Sequence, residues 1–185
     1  MIDQHPLYTA AEARSRETFL ALMWALSYPG RVYTLLTSAP PFALIGETLL
    51  DLETTFFTPD TTLAETLATN GARSLPPDSA AYHFYPYLSS DDLNTIEDAG
   101  VGTLLYPDRA ATLFIGCEFG HGETLELVGP GVNGSISVQV DLPSIFWEVR
   151  ESRRRYPLGY DIYLIDDVRV MGIPRSTSIT RQRGA

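Results

Sequence analysis

The stretch Tyr156-Pro-Leu-Gly-Tyr-Asp-Ile-Tyr-Leu-Ile-Asp-Asp-Val-Arg-Val-Met-Gly-Ile-Pro-Arg-Ser-Thr177 decides the fold. Two apolar runs, Ile162–Ile165 and Val168–Ile173, flank the pair Asp166–Asp167. Short runs rich in Ile, Val and Tyr and bounded by turn residues read as strands. The acidic pair between them reads as a tight turn, because Asp tolerates unusual backbone angles. The first run is apolar on both faces, which predicts a strand covered on both sides. Pro174 has no N–H to donate and ends the ladder. Arg175, Ser176 and Thr177 follow as a cluster of donors at the strand exit. So apolar a hairpin needs layers packed on it, and the upstream chain must supply them.

The chain upstream alternates strand and helix. Tyr8–Tyr28 reads as a helix, with Thr9 and Glu12 at capping-box spacing and Phe19, Leu22, Met23 and Leu26 as its apolar stripe. Pro29-Gly30 stops it, and Arg31–Leu36 reads as a strand. Phe42–Leu50 and Pro59–Asn70 have helical spacing, with Gly71 as a stop for the second. Glu53–Thr58 and Ala81–Tyr85 are β-branched or aromatic and read as strands. Ser90 is the expected cap of a helix over Asp91–Ala99. This rhythm predicts an α/β sheet with helices on its faces. After Gly100 the segments Leu104–Tyr106, Ala111–Cys117 and Thr124–Val128 read as strands. Ser135–Val140 alternates apolar and polar residues, as a half-exposed edge strand does. A helix runs from Pro143 to about Arg154, where Glu151 stands four residues before Arg155. Thr180–Ala185 is polar and expected to fray. With no repeat or linker, residues 1–185 are expected to form one domain.

Composition narrows the function. The 185 residues suffice for one core, and 44% hydrophobic content is ordinary. No apolar run approaches the roughly 20 residues of a membrane helix, and Met1–Pro6 does not read as a signal peptide. A cytoplasmic protein is expected. Cys117 is the sole cysteine, which excludes an internal disulfide and a self-contained thiolate cluster. The formal charge is −10, which argues against nonspecific nucleic-acid binding. All 13 basic residues are arginine. A chain without lysine cannot form a lysine Schiff base, so pyridoxal-phosphate chemistry is excluded. It also lacks the lysine of a Gly-Lys-Ser/Thr phosphate loop.

Several groups carry potential chemistry. Arg175, Ser176 and Thr177 can hold a phosphate or phosphonate, or equally satisfy free carbonyls at the strand end. Arg150, Arg153, Arg154 and Arg155 form a basic patch, suited to a subunit contact or an anion, or to a solvated helix end. Gly129-Pro130-Gly131 reads as a turn first and a phosphate approach second. His121, Glu123 and Cys117 match no common zinc spacing. His83, in a strand, reads as structural, and His5 has no identifiable partner. No nucleophile–base pair stands at an interpretable spacing.

Three segments in order resemble the PhnH family of the bacterial carbon–phosphorus lyase core complex. They are Phe19–Gly30, with its Pro-Gly stop; Leu127–Val132, with its Gly-Pro-Gly turn; and Pro157–Asp161 through Gly172–Thr177. Together they cover about a third of the chain. Ser176 stands where that family usually has a threonine, and keeps the hydroxyl. The resemblance implies a three-layer α/β/α mixed sheet similar to pyridoxal-phosphate-dependent transferases, without the cofactor. It implies a homodimer in isolation that assembles with the G, I and J subunits of the complex. In that family's system a phosphonate displaces adenine from MgATP, and the iron–sulfur J component later cleaves the carbon–phosphorus bond. One cysteine cannot build such a cluster, so the chain is not of the J type. The resemblance and the lack of a legible active site imply an accessory component without catalytic residues; the alternatives are a subunit in which Arg175, Ser176 and Thr177 hold an anionic nucleotide or phosphonate, and an independent hydrolase or transferase using His121 and Glu123. Arg175, Ser176, Thr177, Arg153, Arg154, Gly129 and Gly131 are the chain's candidate anion or partner contacts.

Overall fold

The computed structural model of the chain describes residues 8–36 and 39–182. The readings of His5, of Met1–Pro6 and of residues 183–185 lie outside them. The elements are, in order, α1 (Ala10–Ser27), β1 (Val32–Thr34), α2 (Pro41–Leu49), β2 (Thr55–Phe57), α3 (Thr61–Ala68), β3 (Arg73–Ser74), β4 (Tyr82–Tyr85), α4 (Asp92–Asp98), β5 (Thr112–Gly116), β6 (Glu118–Val128), β7 (Ile136–Asp141), α5 (Ser144–Arg153), β8 (Asp161–Asp166), β9 (Arg169–Ile173) and β10 (Ser178–Gln182).

The hairpin read from the sequence lies inside a seven-stranded sheet of order β1-β9-β8-β5-β4-β2-β3. Strands β3, β2, β4, β5 and β8 are parallel, and β9 is antiparallel to both β8 and β1. Only β9 therefore runs against the rest. Asp167 makes the β8–β9 turn at φ 50°, the left-handed region that Asp tolerates. Alternate side chains of the central strands feed two cores. Leu113, Ile115, Ile162 and Leu164 pack with α4, α5 and the second sheet. Phe114, Tyr163 and Ile165 pack with α1, α2 and α3. The fold is thus α/β, a mixed sheet with helices on both faces. On the second face Phe84, Phe114 and Tyr163 stack across three neighbouring strands, with ring centroids 4.9 and 5.0 Å apart.

The second sheet has three antiparallel strands, in order β10-β6-β7. Its edge strand β7 alternates as read, with Val138 and Val140 buried and Ser137 and Gln139 exposed. Four readings need correction. Thr180–Gln182 does not fray but pairs with β6 through Thr124–Glu126, because β6 would otherwise leave one edge bare. Leu104–Tyr106 is a loop tip, not a strand. Asp91, not Ser90, precedes α4, and Ser89 bonds Asp92 Oδ2 through its N–H and hydroxyl. Glu151 pairs with Arg150 and Arg154 rather than Arg155.

Helix α1 has the expected capping box but turns a different face inward. Its buried residues are Thr18, Ala21, Leu22 and Ala25, whereas Phe19 and Trp24 are 52% and 42% exposed. The cause lies in β9. A Cβ placed on Gly172 would stand 2.5 Å from the Ala25 carbonyl carbon and oxygen and 2.7 Å from Leu26 N. The helix backbone rests directly on the strand. Ala21 and Ala25 fit so close a contact, and Phe19 and Trp24 are rotated outward.

Candidate functional site

Strands β4, β5 and β8 end together, and a crevice of about 560 Å³ opens beyond their carboxyl ends. In open α/β sheets this is where ligands bind. The walls come from Pro86–Leu88 after β4, Gly116–Glu118 around the end of β5, and Ile165 and Asp167 at the end of β8. Gly116 lets two of these walls meet, since a Cβ there would lie 2.0 Å from the Pro86 carbonyl oxygen. Phe42, Leu142 and Pro143 make the apolar side, and Glu118, Asp141 and Asp167 the polar one. Among the described residues no arginine lines the crevice, so its field disfavours phosphate and phosphonate groups. Cys117 borders it, but burial, followed by the charges of Asp166 and Asp141, pushes its thiol up to about 12. That thiol is not a nucleophile at neutral pH.

The sequence-derived contacts converge elsewhere. Gly131, at φ 84°, sits where a Cβ would lie 2.1 Å from the Ser27 carbonyl oxygen, against the end of α1. A Cβ on Gly129 would come within 3.1 Å of Thr177 Cα. Gly30 donates its N–H to the Gly172 carbonyl at 3.4 Å, and a Cβ there would meet Ile136, Leu127 and Val138 of the small sheet. The Pro-Gly stop, the Gly-Pro-Gly turn and the Gly172–Thr177 segment, far apart in sequence, thus meet at one junction. It joins α1, the large sheet and the small sheet.

The arginines are fixed around that junction. Arg175 grips the Asp161 carboxylate with Nε, at 3.1 Å to both oxygens, and with a terminal nitrogen; its backbone N–H adds a bond of 2.9 Å. Its other terminal nitrogen donates to the Pro107 carbonyl. Thr177 is buried and donates its N–H to Pro174 O, while Ser176 is half-buried. Arg150, 1% exposed, donates one nitrogen to the carbonyls of Thr177 at 2.8 Å and Pro174 at 3.2 Å and the other to Glu151. Burial, partly countered by Glu151, lowers its pKa to about 10, and it remains charged. Arg154 pairs with Glu151 and Arg153 donates to the Tyr160 hydroxyl. Among the described residues, Arg153 and Arg155 of that patch have no carboxylate partner.

Of the described histidines, His83 is a structural group. His83 is fully buried, with Nε2 3.2 Å from the Ala80 carbonyl and Nδ1 3.2 Å from the Tyr85 hydroxyl. Burial lowers its pKa to about 4, so the ring is neutral and Nε2 is the donor. His121 is exposed at an irregularity where β6 shifts register against β7. Glu123 pairs with Arg181 and accepts from Ser144. Among the described residues no three His, Cys, Asp or Glu side chains are placed to hold a metal. Sequence reasoning missed the crevice and the Asp161 clamp, because both depend on distant segments meeting.

Comparison with known proteins agrees with these motifs. The family model described as "Bacterial phosphonate metabolism protein (PhnH)" matches residues 6–180. A "Putative C-P lyase subunit protein HtxG" from Stutzerimonas stutzeri is 31% identical over 171 residues, covering 90% of this chain and 86% of that protein. The "Alpha-D-ribose 1-methylphosphonate 5-triphosphate synthase subunit PhnH" of Rhizobium meliloti (strain 1021) is 27% identical across 98% of this chain and its own full length. The glycines and arginines that carried the resemblance serve one structural junction, and with these matches they place the chain in the bacterial phosphonate metabolism protein (PhnH) family.

Proposed function

We propose that the chain is an accessory component of a carbon–phosphorus lyase core complex. It serves the step in which an alkylphosphonate receives the ribose triphosphate of ATP and adenine leaves, and it lends that assembly shape rather than reacting groups. One observation carries this reading: the residues of the family-like motifs are turned toward one another. Gly30, Gly131 and Gly172 permit backbone contacts, and Arg175 clamps Asp161. The acidic crevice supports it too, since an anionic substrate would be repelled there.

The finer parts of the reading belong to the same proposal. The chain acts as one domain in the cytoplasm, together with the G, I and J subunits. Its sheet is related to that of pyridoxal-phosphate-dependent transferases, supported by the helix-flanked order in which β9 alone is reversed. In isolation it forms a homodimer through the outer face of α1, where Phe19, Met23, Trp24 and Tyr28 are exposed, together with Val32 beside them. Bulky apolar side chains gathered on one exposed helix face mark a contact surface.

Co-expression with the G, I and J subunits tests the reading. The chain should co-elute with them, and the complete assembly should release adenine from MgATP and methylphosphonate while the chain alone does not. Turnover by the isolated chain, or its failure to join the assembly, refutes it.

A further inference from the structure

The loop before β5 ends in an apolar tip that the fold itself does not use. Leu104 and Leu105 are 77% and 84% exposed, and Tyr106 beside them is exposed as well. Turn tips ordinarily carry Gly, Asn, Asp, Pro or Ser, each for a backbone reason. Two adjacent leucines satisfy none of those reasons and bury nothing here. The tip is nevertheless firmly built. Thr103 and Tyr106 exchange backbone hydrogen bonds of 3.2 and 3.1 Å across it. The Arg109 guanidinium lies 4.3 Å from the Tyr106 ring centroid. Gly102 closes the base at φ 77°, where a Cβ would stand 2.9 Å from the Pro107 carbonyl oxygen.

Two exposed arginines lie at the same end of a chain of net charge −10, beside the loop's own Asp108. The loop is joined to the 154–159 turn, since Gly159 N–H donates to Val101 O at 3.1 Å and Arg175 reaches Pro107 O. Arg109 on the loop and Arg155 on that turn are both exposed, and neither has a carboxylate partner among the described residues. Exposed Tyr156 adds a second aromatic. Aromatic and arginine side chains beside an apolar centre are the composition of a protein contact. A preformed tip also loses little freedom on docking.

We propose that this end docks another protein, one whose surface offers an apolar pocket rimmed by carboxylates, with Leu104 and Leu105 entering the pocket. The proposal rests on the reading of the chain as a component of a larger complex and names the face it uses there. A second copy is the wrong occupant, because a two-fold contact would set the same arginines against one another. An anionic membrane is disfavoured by the chain's overall negative charge.

The test measures binding of the full chain to a subcomplex of the G, I and J subunits made without it. Leu104→Asp/Leu105→Asp should weaken binding at least about 100-fold, with self-association unchanged. Arg109→Glu/Arg155→Glu should weaken it about tenfold and flatten its salt dependence. Leu104→Ser/Leu105→Ser replaces the first pair if the aspartates lower the melting temperature. Wild-type affinity in all the variants overturns the proposal while leaving the accessory reading intact. No binding by the wild-type chain overturns both. The assignment also fails if the variants instead lose self-association, phosphatidylserine-vesicle binding or MgATP binding with affinity for the subcomplex unchanged.

Discussion

Gly172→Ala is the most direct test of how α1 is held. A Gly-to-Ala change at a position without positive φ ordinarily stabilises by about 0.4–1 kcal/mol, through loss of unfolded-state freedom. Gly172 has no positive φ, so that gain applies in full. Against it stands a contact no rotamer can relieve. The new methyl would lie 2.5 Å from the Ala25 carbonyl and 2.7 Å from Leu26 N, all backbone. The helix must then lift by about an ångström, and overpacking of this kind costs about 1–3 kcal/mol. Lifting α1 also loosens Leu22 and Ala25 over the sheet. A net loss of about 1–2 kcal/mol is expected, or a fall in Tm of about 2–8 °C for a chain of this length. Urea unfolding with an unchanged m-value is the assay. Gly100→Ala is the control, since a Cβ there meets only ordinary contacts at 3.8 and 3.9 Å; it should be neutral or slightly stabilising. If Gly172→Ala matched Gly100→Ala, the close contact of α1 with β9 would be wrong.

Three further outcomes are expected. Arg150→Met should lose about 1–3 kcal/mol in urea unfolding, because the Thr177 carbonyl would stay buried without a donor, whereas Pro174 O keeps the Thr177 N–H; Arg150→Lys should not restore it, lacking the forked geometry. His83 is held near pKa 4, below its ordinary 6.5. The unfolded chain therefore binds a proton between these values that the folded chain does not. Its contribution is complete above pH 6.5 and is lost as pH falls toward 4. His83→Gln should flatten stability against pH across that window, and NMR should show the wild-type ring neutral at about pH 5.5. Cys117, with its thiol pushed up to about 12, should react with iodoacetamide at about pH 8 on the order of 1,000-fold more slowly in the folded chain than in urea, as followed by mass spectrometry.

The sequence made the β8–β9 hairpin legible because its signal is local. Apolar runs, a turn pair and a terminating proline all lie within one stretch. The capping box and the alternation of β7 were legible for the same reason. The buried face of α1 was not, because a stripe of Phe19, Leu22, Met23 and Leu26 records hydrophobicity, and the choice was made by size against Gly172. Strand β10 was hidden because polar residues such as Thr180 and Arg181 pair through their backbones. Arg175 was recognised as a binding group, but its acceptor Asp161 became visible only once the chain had turned through Pro174. The crevice had no sequence signature at all. It arises where neighbouring strands happen to stop together.

The pairing of α1 with β9 also has a consequence for the growing chain on the ribosome. The helix that leads the described chain has its seat on a strand that emerges only after most of the described elements. Until then α1 has no sheet partner to cover Leu22 and Ala25, and the neighbouring strands β5 and β8 are likewise separated by most of the small sheet and α5. The nascent polypeptide must remain open, with apolar helices uncovered, for most of its synthesis. Companion proteins or chaperones that shield it during that interval would raise its yield more than any gain in the stability of the finished fold.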